Sequence, residues 1–174
     1  MALSIRPSEE ADIAAMTQIY AHAVTHGTAS FELAPPDEAE MGRRREAILA
    51  GGYPHIVAEQ DGEIAGYAYA SAFRPRPAYR FTVEDSVYVA PKRQGEGIGT
   101  ALLRALIAAC EERGYRQMIA VIGDSASLGS IRLHEQMGFA HAGRLPAVGF
   151  KHEAWRDIIL MQRALSEGEA TPPE

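Results

Sequence analysis

Between Val87 and Leu103 the chain passes from an apolar extended segment, through the turn Ala90-Pro91-Lys92-Arg93-Gln94-Gly95-Glu96-Gly97-Ile98-Gly99-Thr100, straight into an amphipathic run. The order is strand, turn, helix. Gly95, Gly97 and Gly99 stand at alternate positions, where they remove the Cβ atoms that would hold a ligand away from the main chain. The first turn of the helix leaves its amide N–H groups without intrahelical acceptors. Bare amides at a helix start make a cradle for an anion, a phosphate above all. A fold for this chain must therefore set one strand end beside one helix start at this place.

The type of phosphate follows by exclusion. The Walker pattern needs a lysine and a hydroxyl residue after its glycines, and no lysine follows them here. The dinucleotide pattern needs another glycine spacing and an acidic residue after a second strand. What is left is Gln94-x-x-Gly97-x-Gly99. A glycine turn before a helix also occurs with no ligand at all, so the surrounding residues must decide.

The 174 residues, 47% of them hydrophobic, suit one compact domain, set here at 1–165 with a polar tail at 166–174. A net charge of −6 argues against nucleic acid and anionic membranes as partners. Arg43-Arg44-Arg45 reads as a solvated helix face. The single cysteine, Cys110, cannot form an internal disulfide, and no apolar run near the N-terminus has signal-peptide or membrane-span character. Cytoplasmic residence is the expectation, with Cys110 as a core residue.

Leu3 to Arg6 alternates like a strand, and Ile13, Met16, Tyr20 and Val24 recur at helical spacing. Asp37 with Glu40 resembles a capping box for a second helix ending near Gly51-Gly52. Strands are expected over His55–Glu59 and Ile64–Phe73, joined by the tight turn Asp61-Gly62, and over Phe81–Val89. The helix Ile98–Arg113 carries Ile98, Leu102, Leu103, Leu106, Ile107 and Cys110 on one arc, and Gly114 stops it. Met118–Ile122 reads as a buried strand, Ser130–Met137 as a short helix, and Phe139–Leu145 and Glu153–Gln162 as the last strands. From Ser166 the chain reads as a frayed tail. Hairpins mixed with helical crossovers argue for an α/β (α+β) fold built on one mixed sheet flanked by helices.

The glycine turn has companions in a telling order. Thr82-Val83-Glu84-Asp85-Ser86-Val87-Tyr88-Val89 leads into it, and Gly123-Asp124 follows the next strand. Then come Ser130-Ile131-Arg132-Leu133-His134-Glu135-Gln136-Met137-Gly138-Phe139 and Gly149-Phe150-Lys151-His152-Glu153-Ala154-Trp155-Arg156-Asp157. Together, over Leu3 to Arg163, they resemble the phosphinothricin and methionine sulfoximine N-acetyltransferase branch of the GNAT superfamily. The resemblance implies a mostly antiparallel mixed sheet of about six to seven strands with about four helices, whose two central strands splay to admit acetyl-coenzyme A. It also implies a homodimer.

Under that resemblance the pyrophosphate lies on the amides of Gln94, Gly95, Gly97, Ile98, Gly99 and Thr100, with Lys92 and Arg93 adding positive charge. The pantetheine arm runs along Val87, Tyr88 and Val89 as an added strand would. Many relatives carry asparagine where this chain has Ser127, so the usual amide contact to pantetheine becomes a hydroxyl here.

Acetyl transfer to an amine needs a base for the ammonium, a donor for the developing oxyanion and a proton for the thiolate. By itself Glu84 reads equally as a solvated strand carboxylate; the resemblance makes it the base. Asp85, on the other face of the same strand, ranks second. The oxyanion falls to a main-chain N–H near Val89. His134 matches the histidine of the branch and serves as acid or as base. His134-Glu135 shares the start of a zinc-protease pattern, but Gly138 stands where the second histidine would be, and His22 with His26 lack a third ligand. No metal is expected.

For the acceptor, Arg74 and Arg76 flank Pro75 at a spacing that sends both guanidiniums to one side, suited to a carboxylate or phosphinate. Taken alone they read equally as an exposed charge pair. Phe31, Tyr79 and Lys151 complete the expected acceptor pocket with Glu84, while Tyr88 and Trp155 read as core or interface. The expected reaction is acetylation of the α-amine of a small amino acid such as methionine sulfoximine, methionine sulfone or phosphinothricin. The alternatives are a polyamine, an aminoglycoside or a protein N-terminus as acceptor, or a non-catalytic coenzyme A sensor.

Overall fold

The computed structural model describes residues 2–174. Seven strands form one sheet in the order β1-β2-β3-β4-β5-β7-β6. They are β1 (Ser4–Pro7), β2 (His55–Gln60), β3 (Glu63–Ala72), β4 (Thr82–Val89), β5 (Gln117–Gly123), β6 (Ala140–Lys151) and β7 (Ala154–Ala164). The helices are α1 (Ile13–His26), α2 (Glu38–Ala50), α3 (Ile98–Glu112) and α4 (Leu128–Gln136). Every neighbouring pair is antiparallel except β4–β5, which is parallel. The mixed, mostly antiparallel sheet with four helices is the architecture expected from the sequence.

Local chemistry explains most boundaries. Asp37 caps α2 by accepting a hydrogen bond from the Glu40 N–H at 2.8 Å, and the Glu40 side chain turns outward to Arg43 and Arg44. Asp61 and Gly62, with φ of 57° and 79°, make the tight β2–β3 turn. On α3 the apolar arc from Ile98 to Cys110 is buried throughout.

Two apolar cores flank the sheet. Gly66, Ala68 and Ala70 alternate along β3 with Tyr67 and Tyr69. The small residues let α3 pack close, so Leu102, Leu103 and Leu106 are fully buried beside Val83 and Met118. On the opposite face Tyr67 joins Met16, Ile19, Tyr20 and Val24 of α1 and Met41 of α2. Truncating any of the three buried leucines to alanine costs about 2–5 kcal/mol.

Two expectations shift. Ser127 precedes α4, which starts at Leu128 rather than Ser130, and β6 runs to Lys151 rather than Leu145. The tail beyond Ser166 is not loose. The Arg116 guanidinium donates to the carbonyls of Gly168, Thr171 and Pro172 and to the Thr171 hydroxyl, and Leu165 is fully buried. One arginine reaching back across 50-odd residues of sequence is a contact that a polar C-terminal composition does not announce.

His55 lies buried on β2 beside the rings of Tyr67 and Tyr69, and its Nδ1 has no hydrogen-bond partner among the described residues. Burial, reinforced by the charge of Arg45, pushes its pKa from 6.5 down to about 4. The unfolded chain therefore binds a proton that the folded chain refuses. Stability from this group is complete above pH 6.5 and is lost as the pH falls through 6.5 towards 4. The full effect is on the order of 3 kcal/mol. Urea titrations from pH 7 to 4 should show that acid-side loss, and His55→Phe should flatten it; an unchanged slope in the variant would reject the assignment.

Candidate active site

The β4–β5 ladder lasts for three residue pairs, Thr82–Gln117, Val83–Met118 and Glu84–Ile119, and then stops. Beyond Glu84 the two central strands part. β4 continues to pair with β3 as far as Val89, so its other edge opens on a cleft. The Ala90 N–H points to β3, where it donates to the Ala65 carbonyl at 2.8 Å. By strand alternation the N–H and C=O of Val87 and Val89 point the other way, into the opening.

The cleft is a cavity of about 940 Å³. It is lined by Glu84–Val89 of β4, by Arg93, Gln94, Gly95, Gly97, Ile98, Gly99 and Thr100 of the glycine turn, by Ala120–Gly123 of β5, and by Ser127 and His134. Size and shape suit an elongated ligand laid between strands.

Gly95 and Gly97 adopt φ of 83° and 81°, the left-handed region, and Gly97 is the N-cap of α3. Ala101 is the first residue of α3 whose N–H finds an intrahelical acceptor, the Gly97 carbonyl at 3.1 Å. The N–H groups of Ile98, Gly99 and Thr100 are thus left for a ligand. Arg93 lines the cavity but is shared with carboxylates: Glu96 at 3.5 Å, Asp61 at 3.7 Å and Glu63 at 3.9 Å. Lys92 is exposed and does not line it.

Glu84 stands where the ladder ends. It is half-buried and takes no hydrogen bond from the described residues. Burial first, and the charge of Asp85 second, raise its pKa above the ordinary carboxylate value. A carboxylate held this way is a ready proton acceptor. Asp85 turns to the other face, where its Oδ2 lies 2.7 Å from His134 Nε2, and it is buried. The second-ranked base is therefore already engaged. His134 Nδ1 faces the Ser130 carbonyl at 2.8 Å. Ser127 donates its hydroxyl hydrogen to the Gly123 carbonyl at 2.9 Å, which leaves its oxygen free to accept.

Of the expected acceptor residues Glu84 lines the cavity, and Phe31, Arg74, Arg76, Tyr79 and Lys151 do not. Arg74 and Arg76 are exposed on the β3–β4 connection, Arg74 over the Phe73 ring at 5.8 Å, and Tyr79 is exposed beside Phe73. Lys151 is buried and donates to the Ser30 carbonyl at 2.7 Å, and burial lowers its pKa. It fastens the loop after α1 rather than walling an open pocket. Phe31 belongs to the same loop. Its ring fills the space beside Gly123 and Gly149, where a Cβ on Gly123 would come within 2.5 Å of Phe31 Cε1.

The sequence did not point to the far wall. His22 and His26, with ring centroids 4.7 Å apart, border the cavity on the α1 side together with Thr28, and Arg132 borders it on α4. The histidine pair was visible as a one-turn spacing; nothing in the chain marked Thr28 or Arg132. Among the described residues no group of three or more His, Cys, Asp or Glu side chains could hold a metal ion. Among them, too, no helix is long and apolar enough to cross a membrane.

The model of the acetyltransferase (GNAT) family matches residues 15–139, which include the splayed strands, the glycine turn and His134. The chain is a GNAT acetyltransferase. This acetyltransferase is 52% identical to phosphinothricin N-acetyltransferase of Alcaligenes faecalis over 99% of the chain and 88% of that protein. It is 40% identical to the L-methionine sulfoximine/L-methionine sulfone acetyltransferase of Salmonella typhimurium over 97% of the chain and 98% of that protein. Its fold matches the crystal structure of a GNAT superfamily phosphinothricin acetyltransferase from Sinorhizobium meliloti in complex with acetyl-coenzyme A. That match has a TM-score of 0.96 and 49% identity, and it covers all of this chain and 94% of the other. By that kinship the chain is an acetyl-coenzyme A-dependent N-acetyltransferase.

Proposed function

We propose that this enzyme moves the acetyl group of acetyl-coenzyme A to the α-amine of a small amino acid of the methionine sulfoximine, methionine sulfone or phosphinothricin type. The observation that carries the reading is Glu84, unpaired and half-buried where β4 and β5 separate, beside the open main-chain edge of Val87 and Val89. The amides from Gln94 to Thr100 take the pyrophosphate, with Lys92 and Arg93 adding charge around it. Val87, Tyr88 and Val89 hold the pantetheine as a neighbouring strand would, and the Ser127 oxygen accepts one of its N–H groups.

Glu84 removes a proton from the ammonium, and the freed nitrogen lone pair attacks the thioester carbon. The Val89 N–H meets the oxygen on which charge develops, a donor worth on the order of 3 kcal/mol. Arg74 and Arg76, neither of them held by an acidic partner among the described residues, supply the acceptor's acid group with two guanidiniums. Phe31, Tyr79 and Lys151 shape that end, Lys151 by fastening the Ser30 loop. A cytoplasmic enzyme fits the single unpaired thiol, Cys110.

Thiol release from acetyl-coenzyme A tests the reading across amino acids, their sulfoximines and sulfones, phosphinothricin, polyamines and peptides. Release with the first groups is expected, and Arg76→Ala should raise KM for them by about tenfold or more. Release with polyamines alone would replace this acceptor class.

We also infer a homodimer. Strand β6 is the outer edge of the sheet, and Leu145, Val148, Phe150 and Trp155 on it and on β7 are 45–68% exposed. An uncovered apolar edge of this kind invites a second copy. Sedimentation velocity at micromolar protein should show twice the chain mass; a single chain mass at every concentration would reject the dimer.

A further inference from the structure

Both nitrogens of the His134 ring are engaged, and both side chains of its ion pair with Asp85 are more than nine-tenths buried. Nδ1 faces the Ser130 carbonyl, which only accepts, so Nδ1 carries a hydrogen. Nε2 faces Oδ2 of Asp85. Where Asp85 is a carboxylate, which only accepts, Nε2 carries a second hydrogen and the ring is an imidazolium. The other oxygen of Asp85, Oδ1, is buried with no partner among the described residues, which leaves the ring as the carboxylate's one neutralising contact.

The surroundings offer the ring no other proton partner. Phe139 packs edge-on against it at 4.9 Å between centroids. On α3 the buried Cys110 thiol is pushed up to about 12 by burial and stays protonated. Glu84 projects from the opposite face of β4, and Arg132 and Glu135 of α4 are exposed. Burial works against the ring's charge, but the hydrogen bond and charge of Asp85 and the Ser130 carbonyl outweigh it, and the pKa lies above the ordinary imidazole value.

We propose that Asp85 is a positioning residue which, with the Ser130 carbonyl, holds His134 as a fixed imidazolium, so that His134 passes no proton during turnover and the departing thiolate takes its proton from the attacking nitrogen. This rests on the acetyl-transfer reading of the same cleft. The step balances without the ring. The C–N bond forms as the carbonyl pair moves to oxygen, and the C–S bond breaks as that pair returns, with its electrons left on sulfur. The nitrogen, cationic in the adduct, must lose a proton to become an amide, and the thiolate must gain one. What the buried pair does instead is hold the cleft in shape. Asp85 stands one residue beyond the last β4–β5 pair, and His134 lies on α4, which packs on β5, so the pair ties the two sides of the opening together.

Nitrogen-15 NMR of the His134 ring in the wild-type protein tests this without any turnover. Two ring N–H groups, unchanged from about pH 6 to about pH 8, are expected. A titration midpoint inside that span, or an Nε2 without hydrogen, overturns the proposal. In Asp85→Asn burial is opposed only by the Ser130 carbonyl, so the ring should titrate at or below the free-imidazole value of about 6.5, and an imidazolium that persists there through pH 8 denies Asp85 its part. Asp85→Asn/His134→Gln removes both charges together. Its pH profile of kcat should keep every limb of the wild-type profile, whereas loss of a limb, the mark of a missing general acid or base, refutes the proposal. Should wild-type protein acetylate no amine, the acetyl-transfer reading fails while the ring titration still reports on its own.

Discussion

Glu84→Gln should lower kcat by about 10²- to 10⁴-fold while leaving the affinity for acetyl-coenzyme A as it was. Among the described residues this carboxylate, at the mouth of the splay, has neither a hydrogen-bond partner nor full burial, and glutamine keeps its shape without its basicity. The pH dependence has a definite sign. Burial and the neighbouring Asp85 raise the Glu84 pKa, so the ionised base disappears, and kcat falls, as the pH drops through a value above the ordinary carboxylate range.

The same shift fixes the sign of the effect on stability. A carboxyl whose pKa is raised on folding prefers to be neutral in the folded chain, and its ionised form at neutral pH opposes folding. Removing that charge should leave Tm unchanged or higher. A catalytic residue that costs stability is a familiar trade. If Glu84→Gln instead lost activity and melting temperature together, or bound coenzyme A more weakly, the residue would be a structural one and the proposed base would have to be sought elsewhere.

Gly66→Ala is the second substitution with a large expected effect, although Gly66 lies outside the cavity. Its Cβ would stand 2.8 Å from the Tyr88 carbonyl oxygen and 3.0 Å from Leu102 Cδ1. The first obstacle is main chain, which cannot swing aside. Gly66 pairs across the ladder with Val89, so pushing β3 from β4 here displaces the N–H proposed to meet the oxyanion and the start of the glycine turn behind it. Overpacking of this kind destabilises by about 1–3 kcal/mol, roughly 5 °C in Tm for a chain of this size. The loss in kcat should exceed the loss in coenzyme A affinity, because a donor misplaced by a few tenths of an ångström is worth much less at the transition state. Steady-state kinetics with calorimetry on the folded variant separates the two, and a variant with wild-type kcat would show that the Val89 amide plays no part in the step.

How far these residues could be read in advance depended on how local their signals are. The capped start of α2, the Asp61-Gly62 turn and the apolar arc of α3 all lie within a few residues of one another in the chain, and each appeared where expected. The glycine turn is of the same kind: three Cβ-free positions at a helix start make their cradle from one short segment. Arg74 and Arg76 were joined by their spacing around Pro75 and their chemistry, and Tyr79 and Lys151 by side-chain type; the fold sets the first three on an exposed connection and Lys151 as a buried loop anchor.

Contacts between distant segments carried no such signal. Asp85 and His134 are 49 residues apart, and the strand period could say that Asp85 turns from Glu84 but not that an imidazole waits on that side. Arg116 and the C-terminal carbonyls it gathers are of the same sort. Where backbone geometry and periodicity act over one element, the order of residues is enough, because the atoms that respond are covalent neighbours. Where a proton's owner, a cavity wall or a charge's partner is at stake, the outcome belongs to the packing of β4, β5 and α4, since burial and the facing atom set those energies and neither is written within any single stretch of chain.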